Sequence, residues 1–323
     1  MMDMSNELGN LMLQGGNMDA KKILEFVKIE HTLFSLPFVI IGYLLAHNQF
    51  MHELPTQAWS FDIIWILIAA VGARGLAMTL NRIIDRDIDA VNPRTATRHL
   101  VSGDLSMKAA WGLSAAFLIM LLFGAWQLNE VALMMAWLPV MVFAIYPYTK
   151  RYSWLCHLWL GLCLGLAPAG AWLAIAADAH GWGAITGISD GNLPWYPTIF
   201  FISLGVALWI TAFDINYARM DIDSDRENGI HSFPSRFSEA TTTRTSVQLT
   251  LLWFACFAIS NPMDELWFLI SAGVMSVLNI AVILLHERFS DFQTTLFRVS
   301  MLTGWVLLGA IIMMEPTGNS MIN

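Results

Sequence analysis

NRIIDRDIDAVNPRTATRHL, residues Asn81–Leu100, follows WILIAAVGARGLAMTL, residues Trp65–Leu80. Three aspartates (Asp85, Asp87, Asp89) and four arginines (Arg82, Arg86, Arg94, Arg98) thus crowd into twenty residues behind an almost wholly apolar run. That run is one of several near 20 residues, about the length at which a helix crosses a bilayer. Of the 323 residues, 56% are hydrophobic and 13% charged. A water-facing surface usually needs roughly a quarter charged, so this composition marks an all-α polytopic membrane protein. The alternating segments of a β-barrel are absent. A dense charge cluster at the end of a lipid-crossing helix then needs an explanation.

Apolar runs read against turn signals predict nine transmembrane spans, near residues 24–46, 59–82, 108–128, 130–148, 154–177, 197–219, 243–260, 264–285 and 294–314. They form one domain over 23–315, flanked by tails at 1–22 and 316–323. The first twenty residues lack a basic start and a long apolar core, which predicts a cytoplasmic tail or surface helix rather than a signal peptide. The connections HNQFMHELPTQ, QLNE, DAHGWGAITGISDGNLPWYP and NPMDE contain no Lys or Arg. Apart from Arg74 inside the second span, the other 16 of the 17 Lys and Arg lie toward the opposite ends. The positive-inside rule therefore places the N-terminus in the cytoplasm and the C-terminus outside. A net charge of −8 disfavours nucleic acid as a partner. Cys156, Cys163 and Cys256 form no CxxC pair and read as packing residues. Nothing in the sequence points to an obligate protein partner beyond the bilayer.

A second acidic cluster closes the sixth span in FDINYARMDIDSDRENGIHS, residues Phe213–Ser232. Four spans separate the two clusters, which puts them on the same membrane side and hints at two similar four-helix units. At about 100° per helical residue, Asn81, Asp85 and Asp89 share one stripe, with Arg74 two turns deeper. Asp214, Asp221 and Asp225 make another stripe, while Asp87, Asp223 and Arg82 point elsewhere. Ionisable groups inside a membrane usually face a bundle interior or wet cavity. Oxygen-only ligands without Cys or His suit Mg²⁺, which completes its shell with water and phosphate oxygens. Arg94, Arg98, Lys150 and Arg151 stand near the acids and are suited to phosphate. Acids for Mg²⁺, bases for phosphate and an apolar bundle below suggest a diphosphate on a greasy tail. Two plainer readings remain: solvated loop ends pairing with one another, or a calcium loop in DIDSDRENG. The latter lacks the Gly and Glu that an EF-hand needs at its sixth and twelfth positions.

These residues carry a family resemblance. NRIIDRDID with NPRTATR resembles the first aspartate motif of the UbiA superfamily of intramembrane aromatic prenyltransferases, and YARMDIDSD (residues 217–225) resembles the second. YPYTKR (146–151), EHTLFSLPF (30–38) and GLAPAGAW (165–172) are also similar to family segments. The resemblance covers about residues 25–315. It implies nine helices around a central cavity capped on the cytoplasmic side. It also implies Mg²⁺ held with a polyprenyl diphosphate through Asn81, Asp85, Asp89, Asp221 and Asp225. The implied reaction is prenyl transfer to an aromatic acid, 4-hydroxybenzoate in the branch that looks most similar, within the cytoplasmic membrane and facing the cytoplasm. A dihydroxynaphthoate precursor of menaquinone is the alternative acceptor. Arg82 departs from the family's Asp at that position; being off the stripe, it is expected to leave the metal site intact. His99 stands where Pro is common.

For such chemistry, Asp214 would orient the acceptor hydroxyl or take a proton. Arg74 would pair with the substrate carboxylate, or instead with a nearby acid. Tyr146, Tyr148 and Tyr217 would line the cavity or anchor the interface, and His31 reads as a hydrogen-bonded core residue. The competing class, a cation-coupled transporter, calls for acids near mid-membrane and broken helices there. The topology is directly testable in a background lacking the three cysteines. Ser189→Cys should react with an impermeant maleimide in right-side-out vesicles, and Ser102→Cys only after lysis. The reverse pattern would invert the orientation.

Overall fold

The computed structural model describes residues 20–50, 53, 59–187, 196–264 and 266–313; among these the regular structure is helical, with no strand. The long elements are α1 (Ile29–Phe50), α2 (Trp59–Ile84), α3 (Met107–Leu128), α4 (Glu130–Thr149), α5 (Cys156–His180), α6 (Pro197–Tyr217), α7 (Glu239–Ser260), α8 (Leu266–Leu284) and α9 (Phe292–Ile312). Helix is the form that satisfies backbone polar groups within one segment in lipid. Eight of these among the described residues are long and apolar enough to cross a membrane. The expected ninth, α7, differs because its first half reads EATTTRTSVQLT. Thr242, Ser246 and Thr250 form a buried hydroxyl row there, each donating to the carbonyl four residues back. The polarity of that row is hidden against α6 rather than shown to lipid.

The first expected span, 24–46, is also divided. A short helix, Ala20–Phe26, stops at Lys28, whose φ of 52° lies in the left-handed region, uncommon for a residue with a Cβ. The break lets Phe26 and Val27 bury themselves in a satellite cluster with Leu100, Leu105 and Ala110. This ties Phe26 and Val27 over the loop that follows α2. The tails at 1–19 and 316–323, the segment 188–195 and the His31 side chain lie outside the described residues.

Local signals set several helix ends. Ser106, Ser238 and Asp291 cap α3, α7 and α9 by accepting the backbone N–H three residues on. Asn129 caps α4 in the same way, while its Nδ2 donates to Ala174 O (2.7 Å) and Asp178 Oδ1 (2.8 Å) on α5. That one side chain therefore starts one helix and fastens it to another.

Packing between helices in lipid rests on close contact more than on the hydrophobic effect. The tightest pairings are α2 with α3, α5 with α6, and α6 with α7, while α1 lies against α5 and α9. Phe34, Phe38, Trp172, Trp209, Trp253 and Phe257 fill the shared core, with Phe34 stacked on Trp209 at 4.8 Å between ring centroids. Each acidic cluster thus leaves a helix, α2 or α6, along which the next long helix packs closely. Gly161 is what lets α5 approach α6: a Cβ there would strike the Ala207 carbonyl and the Thr211 hydroxyl. Gly161→Val should destabilise the bundle by about 1–3 kcal/mol or more through overpacking. Gly112→Ala, where the added Cβ meets no atom within 4 Å, should be neutral or stabilise by up to about 1 kcal/mol. Thermal unfolding in detergent distinguishes the two, and equal melting temperatures would refute the close-contact role of Gly161.

Candidate active site

The two acidic clusters meet at one end of the bundle. On the first arm, the Asp85 amide bonds the Asn81 carbonyl (2.9 Å) and the Asp89 amide bonds the Asp85 carbonyl (2.8 Å). The helical register therefore survives the junction between α2 and the short helix Arg86–Val91, and Asn81, Asp85 and Asp89 keep one row. The second arm is different. After α6 the chain tightens into a 3-10 turn, Ala218–Asp221, before the helix Ile222–Glu227. Such a turn advances about 120° per residue instead of about 100°. The single stripe expected for Asp214, Asp221 and Asp225 is therefore broken. Asp214 belongs to the depth of α6, whereas Asp221 and Asp225 belong to the rim.

Three of the four rim carboxylates, Asp85, Asp89 and Asp221, are ion-paired. Arg94 grips Asp221 with two bonds, from Nε to Oδ1 (2.9 Å) and from Nη2 to Oδ2 (2.5 Å), and Asn92 Nδ2 donates to the same Oδ1 (2.9 Å). These bonds join the first arm to the second. Arg98 Nη1 reaches both oxygens of Asp89 at 2.6 Å. Asp85, fully buried, receives Lys150 Nζ (2.6 Å) and Asn81 Nδ2 (2.8 Å) on Oδ2, with Arg151 Nη2 3.6 Å from Oδ1. Burial pushes the Asp85 carboxyl above the usual range even though Lys150 pulls it down. For Arg94, desolvation is outweighed by the Asp221 carboxylate, which holds the guanidinium above its ordinary value. Asp225 is buried within electrostatic reach of Asp221 and Lys150. Asp87 and Asp223 are exposed.

Below this rim lies a cavity of about 800 Å³ between α1, α2, α3, α4, α5 and α6. Most of its wall is apolar, including Phe34, Ile66, Leu121, Phe143, Leu164 and Ile210, and Cys163 serves as part of that wall. Arg74, Asn81, Arg94, Arg98, Tyr146, Asp214 and Tyr217 supply polar surface. Asp85, Asp89, Asp221, Asp225, Lys150 and Arg151 do not line it; the carboxylates sit behind their cations. Arg74 projects from α2 with its Nε buried and unbonded, and among the described residues no carboxylate lies within ion-pair distance of it. The pairing with a nearby acid that the sequence left open is not made. Tyr217 carries the Arg94 guanidinium over its ring at 5.3 Å and accepts a hydrogen bond from Gln293 Nε2 (2.6 Å). Tyr148 is exposed, with Arg151 over its ring at 5.8 Å, so it belongs to the outer surface.

Three contributors were not read from the sequence. Arg82, expected to point elsewhere, is buried and lines the cavity beside Arg98 and Asn81, where its long side chain reaches around the helix. Asn92 bridges to Asp221 from an otherwise unremarked loop position. His157, buried in the first turn of α5, bonds Asp214 Oδ2 through Nδ1 at 2.6 Å. The only sequence signal for His157 was a lone ionisable residue opening an apolar run. No three His, Cys, Asp or Glu side chains converge as a ready metal cluster among the described residues; Asp85, Asp89 and Asp221 are each drawn to a cation. The donor set nevertheless suits a hard oxygen-seeking cation, and the buried Asp85 Oδ1 has no hydrogen-bond donor of its own. The acids gather at the end of α2 and α6 rather than midway along the helices, unlike the arrangement a transporter would need.

The arrangement has counterparts among known proteins. The 4-hydroxybenzoate octaprenyltransferase of Vibrio vulnificus is 26% identical over 251 residues, 75% of this chain and 80% of that protein. Its counterpart in Vibrio campbellii is 31% identical over 180 residues, spanning 54% of this chain and 56% of the relative. Among solved structures, a UbiA homolog from Aeropyrum pernix K1 in its apo form superposes with a TM-score of 0.70 at 31% identity, covering 88% of this chain and 98% of that one. A UbiA homolog from Archaeoglobus fulgidus bound to GPP and Mg²⁺ shares the fold at a TM-score of 0.59 and 20% identity, covering 90% and 99%. Residues 35–311 match the UbiA prenyltransferase family over most of the chain, and the protein belongs to that family.

Proposed function

We propose that this protein transfers a polyprenyl group from a polyprenyl diphosphate to the ring of 4-hydroxybenzoate, with Mg²⁺, at the cytoplasmic face of the cytoplasmic membrane. The observation that carries this reading is the juxtaposition of a rim of paired acids and bases with an apolar cavity in which Arg74 has no anionic partner among the described residues. A buried guanidinium in that state favours an anionic ligand, and the carboxylate of a small aromatic acid fits the need. The 4-hydroxybenzoate named for the Vibrio relatives meets the same requirement.

Asn81, Asp85, Asp89, Asp221 and Asp225 would hold Mg²⁺, which when bound supplies positive charge to the departing diphosphate. Arg94, Arg98, Lys150 and Arg151 exchange their carboxylate partners for phosphate oxygens. The prenyl C1–O bond breaks with its electron pair leaving on diphosphate, and the apolar wall keeps water from the allylic cation. Arg74 fixes the acceptor carboxylate at depth. The ring carbon ortho to the hydroxyl forms the new C–C bond and releases its proton, for which Asp214 is the nearby acceptor on the cavity wall. Tyr217 shapes the boundary between rim and cavity beneath Arg94.

Purified protein in detergent, given geranyl diphosphate, Mg²⁺ and a panel of hydroxybenzoates and hydroxynaphthoates, should prenylate 4-hydroxybenzoate in preference to the others. Chelation by EDTA should stop turnover and added Mg²⁺ restore it. Asp85→Ala and Asp221→Ala should each lower kcat/KM at least about 100-fold, the scale of losing a main charge-stabilising group. Failure of wild type to prenylate any acceptor, with cation flux surviving in both variants, would refute the transfer reading. Arg74→Leu should raise KM for the acid about 10- to 100-fold, as expected for a lost buried charge-assisted pair, while leaving KM for geranyl diphosphate within about two-fold. An unchanged acceptor KM would remove Arg74 from the acceptor site.

A further inference from the structure

His157 opens α5 and is nearly inaccessible, at 3% exposure. Its Nε2 accepts the backbone N–H of Phe233 at 3.0 Å. A backbone N–H can only donate, so Nε2 carries no proton and the ring proton resides on Nδ1. Nδ1 therefore donates to Asp214 Oδ2 at 2.6 Å. A doubly protonated ring would point an N–H at the Phe233 N–H, so the bonded arrangement belongs to the neutral imidazole. Asp214 is then held in one fixed orientation, with Oδ1 left for the cavity that the residue lines.

Phe233 has its own constraints. It begins the short helix Phe233–Arg236, in the loop that follows Asp221 and Asp225, and its ring packs on Trp154 and Phe237. His157 thus spans three parts of the chain: the α5 start, the cavity acid on α6 and the loop behind the second acidic cluster. Resting on the transfer reading, we infer that His157 is the positioning residue for Asp214, with the Phe233 amide locking the imidazole in the single tautomer that aims the acid at the reacting ring. The loop bearing the second acidic cluster and the deep acid are thereby held in register through one side chain.

Two near-isosteric substitutions separate the ring's two bonds. In His157→Asn the amide nitrogen falls at the Nδ1 position, keeping the donor to Asp214 and losing the acceptor for Phe233. In His157→Gln the side-chain carbonyl falls at the Nε2 position, keeping the Phe233 bond and losing the donor. With geranyl diphosphate, 4-hydroxybenzoate and Mg²⁺, His157→Gln should lower kcat about 10-fold or more and leave KM for geranyl diphosphate within about two-fold. His157→Asn should recover at least about five-fold of that loss. Independently of turnover, hydrogen exchange by mass spectrometry should show the Phe233 amide exchanging several-fold faster in His157→Asn and at the wild-type rate in His157→Gln. Equal kcat for the two variants, or a Phe233 amide indifferent to both, would overturn the positioning role. A wild type that prenylates no acceptor sinks the transfer reading, while the exchange comparison still judges the lock on its own.

Discussion

The structure depends on charge neutralisation across the bundle's rim. Two helices each deliver a row of carboxylates to one partly desolvated place, and carboxylates so gathered repel unless cations stand among them. The Arg94–Asp221 fork, with Asn92 alongside, supplies that countercharge from the opposite arm. It therefore also fixes how the two arms sit. Lys150 extends the same logic to Asp85 from the end of α4, and Arg98 to Asp89 from the loop after α2. The satellite cluster around Phe26 and Leu100 holds that loop down on its apolar side. Without the ion pairs the rim would gather like charges with nothing to offset them, and the apolar cluster alone would be left to hold the loop.

Much of this was legible because membrane composition makes charge conspicuous. Asn81, Asp85 and Asp89 could be grouped from four-residue spacing alone, and the register held since the backbone bonds continue through Asp85. The grouping of Asp214 with Asp221 and Asp225 failed for a local reason: a four-residue 3-10 turn intervenes, and no Gly or Pro in YARMD marks it. The break at Lys28 was equally silent, because tertiary burial of Phe26 and Val27 imposes it. The polar half of α7 read as a late start to a span, yet its hydroxyls are satisfied within the helix and turned toward α6. His157 could not be found by pattern, since its partners lie 57 and 76 residues away. Arg82 was misplaced because a helical wheel locates Cβ atoms, while an arginine's reach exceeds the arc between neighbouring faces.

The rim and the interior treat charge in opposite ways. At the rim, acids and bases are paired, and the cations remain partly exposed: the side chains of Arg94 and Lys150 retain 29% and 22% of their accessible surface. Deeper in the cavity stand Arg74 on α2 and Asp214 on α6. Arg74 has no carboxylate within ion-pair distance among the described residues, and Asp214 is held by His157, whose inferred tautomer is a neutral donor. Had an arginine or lysine occupied the place of His157, its charge would have cancelled that of Asp214. A neutral imidazole orients the carboxylate without discharging it.

That contrast bears on how a charged ligand could enter at tolerable cost. Desolvating an unpaired carboxylate or guanidinium is expensive, and breaking a buried pair by removing one partner is worse than never having made it. A phosphate-bearing ligand arriving with a divalent cation removes neither partner: phosphate oxygens can take the place of carboxylates on the arginines and lysine, while the carboxylates turn to the cation. The count of unpaired charges stays constant through the exchange. The partial exposure of Arg94 and Lys150 lets water accompany the swap, whereas Asp85, fully buried, has to find its new partner in place. Its Oδ1, already without a hydrogen-bond donor, is the atom positioned to do so.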